Sequence, residues 1–181
     1  MKHTFAFCGP IGSGKSSVSK LFAMRVGAIW NSFGTTVREI ALERRLPTNR
    51  ESLQNLGALL VKDERSSFCS RVIGKTTSGS AGAGVIDGLR HIGVLDELRR
   101  DISPQQLVCI YVDAPRSVRL ERVKQRDGLT EEQLSDLERH STEIEVEHRL
   151  KKASDFIADN EVSVEQCVDS IVQWTQQRNL L

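Results

Sequence analysis

No apolar run in this chain approaches the roughly 18 residues that a membrane-spanning helix requires, and the opening residues, MKHTFAFCG, show no signal-peptide pattern. The expectation is a cytoplasmic protein without a membrane partner. The four cysteines, Cys8, Cys69, Cys109 and Cys167, form no CxxC pair and no Cys/His group at zinc spacing, which fits reduced thiols rather than a metal site or a disulfide framework. Cys8 and Cys109 lie in apolar runs and are expected in the core. Charge of one sign is also missing. Lys and Arg number 25 against 24 Asp and Glu, a formal net charge of +1, so nothing in the balance advertises a polyanion as partner. No aromatics interleave with the pairs Arg44-Arg45 and Arg99-Arg100, as a single-strand stacking surface would require, and nucleic acid is not expected. His3, His91, His140 and His148 form no ligand spacing with carboxylates or cysteines.

What the chain does have is alternation. Short apolar runs rich in β-formers occur at 4–8, 28–30, 84–87, 107–112 and 155–158. Segments with helical periodicity lie around them, at 14–26, 35–45, 50–73, 92–100, 115–126, 130–152 and 164–178. The pattern predicts an α/β three-layer sandwich: a central parallel sheet of about five strands with helices on both faces. No repeat or linker divides residues 1–181, so one domain is expected. The segment TTSGSAGAG, 76–84, is predicted as a surface loop before the third strand.

Between the first strand and the first helix stands Gly9-Pro-Ile-Gly12-Ser13-Gly14-Lys15-Ser16, which fits GxxxxGK[ST] in the strand-to-helix context that the motif needs. Glycines let the backbone curl so that its N–H groups point inward, and the helix start adds its positive dipole end. Residues 9–17, through Ser17, are therefore expected to hold the phosphates of ATP. Lys15 would reach the β- and γ-phosphates, and the Ser16 hydroxyl would ligate magnesium. At the end of the third predicted strand comes Asp87-Gly88-Leu89-Arg90. A carboxylate at the carboxyl edge of a strand beside such a loop is placed to hold the same ion, which makes Asp87 the second metal candidate. No Asp-Glu pair of the motor ATPases and no NKxD guanine-reading motif is present.

GxxxxGKS followed by Asp-Gly-x-Arg resembles the nucleoside monophosphate kinases, whose Asp-Gly-x-Pro-Arg segment stands at this place; the proline is absent here. The resemblance implies that Arg90 binds the acceptor's phosphate. Residues 115–150 are the expected lid, with a break at Asp127-Gly128 and a second helix capped by Thr130. Arg119, Arg122 and Arg126 recur at spacings of three and four, near one helix face. Arg122 and Arg126 are the expected catalytic cations over the transferring group, with Arg119 and Arg139 as further candidates. The segment RLERVKQRDGLTEEQ and the run ASDFIADN resemble dephospho-CoA kinase. That likeness implies that Asn160 lies near the adenine edge.

The likeness lapses after the second strand. Where dephospho-CoA kinase carries aspartates suited to activating a hydroxyl, this chain has Asn31-Ser32-Phe33-Gly34-Thr35-Thr36. An acceptor that is already an anion needs no base, so the loss favours a monophosphate, with Glu39 left as a possible base for a hydroxyl acceptor. SFGTTVREIALE and TNRESLQNLGALL resemble the acceptor side of deoxynucleoside monophosphate kinases of the bacteriophage type. By that resemblance, Arg38 and Arg50 converge with Arg90 on the acceptor's phosphate, and Phe33 stacks on its base, within an acceptor region at 32–75. The expected activity is transfer of the γ-phosphoryl group of ATP to a (deoxy)nucleoside monophosphate, by a monomer or homodimer. The alternatives are a kinase of a hydroxyl acceptor, such as dephospho-CoA or a nucleoside, and a nucleotide-binding regulator without turnover.

Overall fold

A computed structural model of the protein describes residues 3–77 and 83–181, so most of the predicted loop at 76–84 lies outside the described residues. The chain runs β1 (His3–Cys8), α1 (Lys15–Val26), β2 (Ile29–Ser32), α2 (Phe33–Glu43), α3 (Arg50–Asp63), α4 (Arg65–Thr77), β3 (Gly84–Leu89), α5 (Ile92–Ile102) and β4 (Gln106–Asp113). It continues through α6 (Arg116–Asp127), α7 (Glu131–Glu138), α8 (Ser141–Glu145), a π-helical turn (Val146–Leu150), α9 (Lys151–Ala153), β5 (Phe156–Asp159) and α10 (Val164–Gln177). The strands pair in the order β2-β3-β1-β4-β5 and every pairing is parallel, which is the predicted sheet. None of the helices described is long and apolar enough to cross a membrane.

Strand periodicity divides the core. Phe5 and Phe7 point to one face, where Phe22 of α1 packs on both with ring centroids 5.0 and 5.5 Å apart. Val168 and Ile171 of α10 complete that layer. Ala6 and Cys8 point to the other face, against α2, α4, α5 and the π-helical turn. On α5, Val94, Leu95, Leu98 and Ile102 repeat at helical spacing and are all buried. The four cysteines are buried and free, Cys8 and Cys109 as expected from their apolar runs.

Two long predicted helices are each divided. The one expected over 50–73 breaks at Glu64, whose extended φ of −128° ends α3; its carboxylate takes both Nη atoms of Arg44 instead, at 2.9 and 2.6 Å. The one expected over 130–152 breaks at His140, whose φ, ψ of −65°, 138° leave the helical region while its ring accepts from the Thr142 amide. Thr130 caps α7 as predicted, in a reciprocal box with Gln133.

Truncating Leu98, which is fully buried in the α5 layer, is expected to destabilise the fold by about 2–5 kcal/mol through lost transfer energy and a residual cavity. Urea unfolding of Leu98→Ala, read by circular dichroism, checks this; a loss under about 1 kcal/mol would contradict the packing described.

Candidate phosphate-binding site

The carboxyl end of β1 delivers Cys8, fully buried, into the loop Gly9–Gly14, and α1 starts directly after it. Gly14 precedes the helix in the left-handed region, φ 81°, and offers no side-chain cap. The first amides of α1 are thus left for a ligand, and the helix dipole favours an anion there. Ser16 and Ser17 are exposed at this start, and Ser13 is buried with its Oγ unpartnered.

Two glycines are enforced by what lies beneath them. A Cβ on Gly12, itself at φ 81°, would come within 2.7 Å of the Arg119 carbonyl oxygen. A Cβ on Gly14 would run into Nδ2 of Asn160. That amide donates to the Ser13 carbonyl at 2.7 Å. Arg122 donates to the carbonyls of Asn160 at 2.8 Å and Ser13 at 3.4 Å, and Arg119 donates to the Ile11 carbonyl at 3.2 Å while pairing with Glu138 at 2.7 Å.

These contacts correct three expectations. Asn160 is fully buried and braces the loop from behind, so it is not an adenine-edge residue. Arg122, expected over the transferring phosphoryl, spends its donors on loop carbonyls, because the first turns of α6 pass under the loop rather than over its mouth. Arg119 is held the same way. Arg126, one turn further on, extends to solvent with 67% of its side chain exposed and pairs only with its neighbour Asp127, at 2.9 and 2.5 Å. Arg139, 79% exposed, pairs with Asp136 at 3.2 Å.

Lys15, Asp87 and Arg90 come together as expected. Asp87 lies near the carboxyl end of β3, opposite Ser32 of β2 and Phe7 of β1. It is 4% exposed, and its Oδ1 has no hydrogen-bond partner. A buried carboxylate oxygen without a donor beside an exposed serine hydroxyl fits a hard cation. No group of three His, Cys, Asp or Glu that could hold a metal alone occurs among the described residues, so an ion there would need ligand oxygens as well. Burial lowers the Lys15 ammonium from 10.5 to about 7; Arg90 and Arg126 push the same way, and Asp87 opposes them. Burial also lowers Arg90, with Asp87 opposing and Arg50 adding to the depression. The Cys8 thiol is pushed up, first by its contact with Cys109 Sγ and then by burial.

On the acceptor side, Arg50 opens α3, exposed and close enough to act on both Arg90 and Asp127. Arg38 is exposed on α2. Phe33 is a correction: it is 8% exposed and edge-on to Phe68, centroids 5.3 Å apart, so its ring supports the core instead of offering a face to a base. Glu39 pairs with Lys75 and is not free as a base. Two carboxylates that sequence reasoning missed reach the site from α8. Glu143 accepts from the Ile11 amide at 3.1 Å and pairs with Arg90. Glu145 accepts from the Ile92 amide at 2.8 Å and contacts His91 Nδ1 at 3.1 Å. Nothing in STEIEVE separates them from a solvated acidic face; only the turn at His140 aims them inward.

Asn160→Ala removes a buried bond under the loop and leaves a carbonyl unpaired, with an expected loss of about 1–3 kcal/mol, whereas Arg126→Ala should stay within about 0.5 kcal/mol of the parent. Chemical denaturation of the two variants compares them directly. Lys15 supplies a second test. Between about pH 7 and 10.5 the unfolded chain carries a proton that the folded one lacks, so this group makes the ligand-free fold gain stability as pH rises through that window. A bound polyphosphate restores the charge, so proton uptake is expected on binding at pH 8. Calorimetry in buffers of different ionisation enthalpy measures it, and Lys15→Met should abolish it.

Residues 6–145 match the family described as AAA domain. A cytidylate kinase of Aeropyrum pernix is 38% identical over 122 residues, 67% of this chain and 63% of the relative. A UPF0200 protein of Pyrococcus horikoshii is 30% identical over 122 residues, 65% of this chain and 64% of the relative. The chain thus spans a little under two thirds of the length of both. Among solved structures, shikimate kinase from Aquifex aeolicus superposes with a TM-score of 0.60 at 15% identity, covering 98% of each chain. The APS kinase of Mycobacterium tuberculosis does so with a TM-score of 0.63 at 17% identity, over 97% of this chain and 98% of that one. With its phosphate loop, parallel sheet and strand order, the chain belongs to the AAA-domain family and, more broadly, to the P-loop nucleotide kinase superfamily.

Proposed function

We propose that the protein transfers the γ-phosphoryl group of ATP to a (deoxy)nucleoside monophosphate. The observation that carries this reading is the gathering of Lys15, Arg90, Arg50 and Arg126 close enough to perturb one another's protonation around the single buried carboxylate of Asp87. Cations forced together at that energetic cost suit a site that receives two phosphorylated ligands. The cytidylate kinase of Aeropyrum pernix supports the choice of a nucleotide acceptor, and the engagement of Glu39 by Lys75 removes the base that a hydroxyl acceptor was expected to use.

The loop amides and the start of α1 bind the phosphate chain, and Lys15 spans its outer end. Arg90, with Arg50 and Arg38, orients the acceptor phosphate, one of whose oxygens attacks the γ-phosphorus while the bond to the ADP oxygen breaks. Arg126 is the lid cation free to close over the transferred group, as Arg119 and Arg122 are committed beneath the loop. Ser16 and Asp87 would hold magnesium, which when bound neutralises charge on the phosphates.

A screen of acceptors with ATP should show ADP formation with nucleoside monophosphates and none above background with nucleosides, sugars or dephospho-CoA. Lys15→Ala and Asp87→Asn should each lower kcat by about two to three orders of magnitude. Arg90→Ala should raise the acceptor's KM on the order of tenfold, since hydrogen bonds to charged groups contribute about 1.5–3 kcal/mol, with little change for ATP. Turnover with hydroxyl acceptors alone, or with none, would overturn the proposal.

A further inference from the structure

Glu143 is an acid at the mouth of a site built for anions. It is 7% exposed, and both of its carboxylate oxygens are engaged: Oε2 accepts from the Ile11 amide at 3.1 Å, and Oε1 pairs with Arg90. Ile11 belongs to the loop that receives the phosphate chain, and Arg90 is the arginine assigned to the acceptor. One side chain therefore bridges the donor half and the acceptor half of the site with the two contacts that a phosphoryl oxygen would make. A backbone N–H and a guanidinium are the donors that recognise phosphate, and a carboxylate satisfies both in the same manner. Its aim is fixed from its own helix. Two residues on, Glu145 accepts from the Ile92 amide at 2.8 Å and contacts His91 Nδ1 at 3.1 Å, which anchors α8 to the start of α5.

We propose that Glu143 is an internal stand-in for a phosphate group, occupying the position between the loop and Arg90 until a phosphorylated ligand displaces it. The proposal rests on the kinase reading and deepens it by naming a residue that selects the acceptor class. A ligand that takes this position removes the carboxylate from Arg90 and from the Ile11 amide. A phosphate replaces both contacts with its own anionic oxygens, whereas a neutral hydroxyl leaves a buried guanidinium without a counter-charge. Glu143 thereby discriminates against unphosphorylated acceptors without touching them. A carboxylate that instead held Arg90 and the loop in their working arrangement would give the opposite response to its removal.

Binding of inorganic tripolyphosphate, measured by calorimetry at low ionic strength, separates the two roles. Glu143→Gln keeps the shape and drops the charge, and is expected to bind tripolyphosphate on the order of tenfold more tightly than the parent. Unchanged or weaker binding would overturn the stand-in role while leaving the kinase reading intact. No binding by either protein would overturn the phosphate site itself, and the inference with it. Hydrogen exchange on the unmodified protein gives an answer that does not depend on the variant folding. Tripolyphosphate should accelerate exchange across 141–150 as the carboxylate is expelled, and protection or no change there would refute displacement.

Discussion

Everything at the site depends on the curl of backbone between Gly9 and Gly14, and that curl is held from outside the loop. The Asn160 amide supports the Ser13 carbonyl, Arg122 joins Ser13 to Asn160, and Arg119 takes the Ile11 carbonyl. These partners come from the far end of β5 and the first turns of α6. A loop whose N–H groups must converge on a ligand turns some carbonyls outward, and those carbonyls need donors of their own. The two conserved-looking halves of the chemistry, phosphate loop and lid, are in this sense one structure.

That dependence explains how the arginines of α6 divide. Residues spaced by three and four lie near one helix face, yet the helix leaves the loop behind as it rises. Arg119 and Arg122 meet carbonyls, while Arg126 passes the rim and finds only Asp127. Periodicity identified the stripe correctly and could not tell which members face inward at what height, because that is set by where the strand ends.

The fold was legible for a physical reason: parallel strands buried on both faces read as apolar runs, and all five runs became strands. The loop and Asp87 were legible because their chemistry constrains residue type at fixed spacing. Helix interruptions at Glu64 and His140 were not, since neither is a glycine or proline and each break is stabilised by side-chain bonds formed only after folding. Asn160 and Phe33 were assigned to ligands when packing had claimed them. Glu143 escaped notice altogether, as its meaning lies in two contacts across 132 and 53 positions of chain.

The π-helical turn at Val146–Leu150 sets the phase of this arrangement. It holds one residue more per hydrogen-bonded ring than an α-helix would, and each residue of an α-helix turns the side chains by about 100°. Val146 and Leu150 are fully buried on the sheet, so the downstream end is clocked by packing. The surplus residue is absorbed upstream, where it determines which way the acidic segment looks. A lineage that lost a single codon in this stretch would keep its fold and its phosphate loop, yet rotate Glu143 out of register with Arg90.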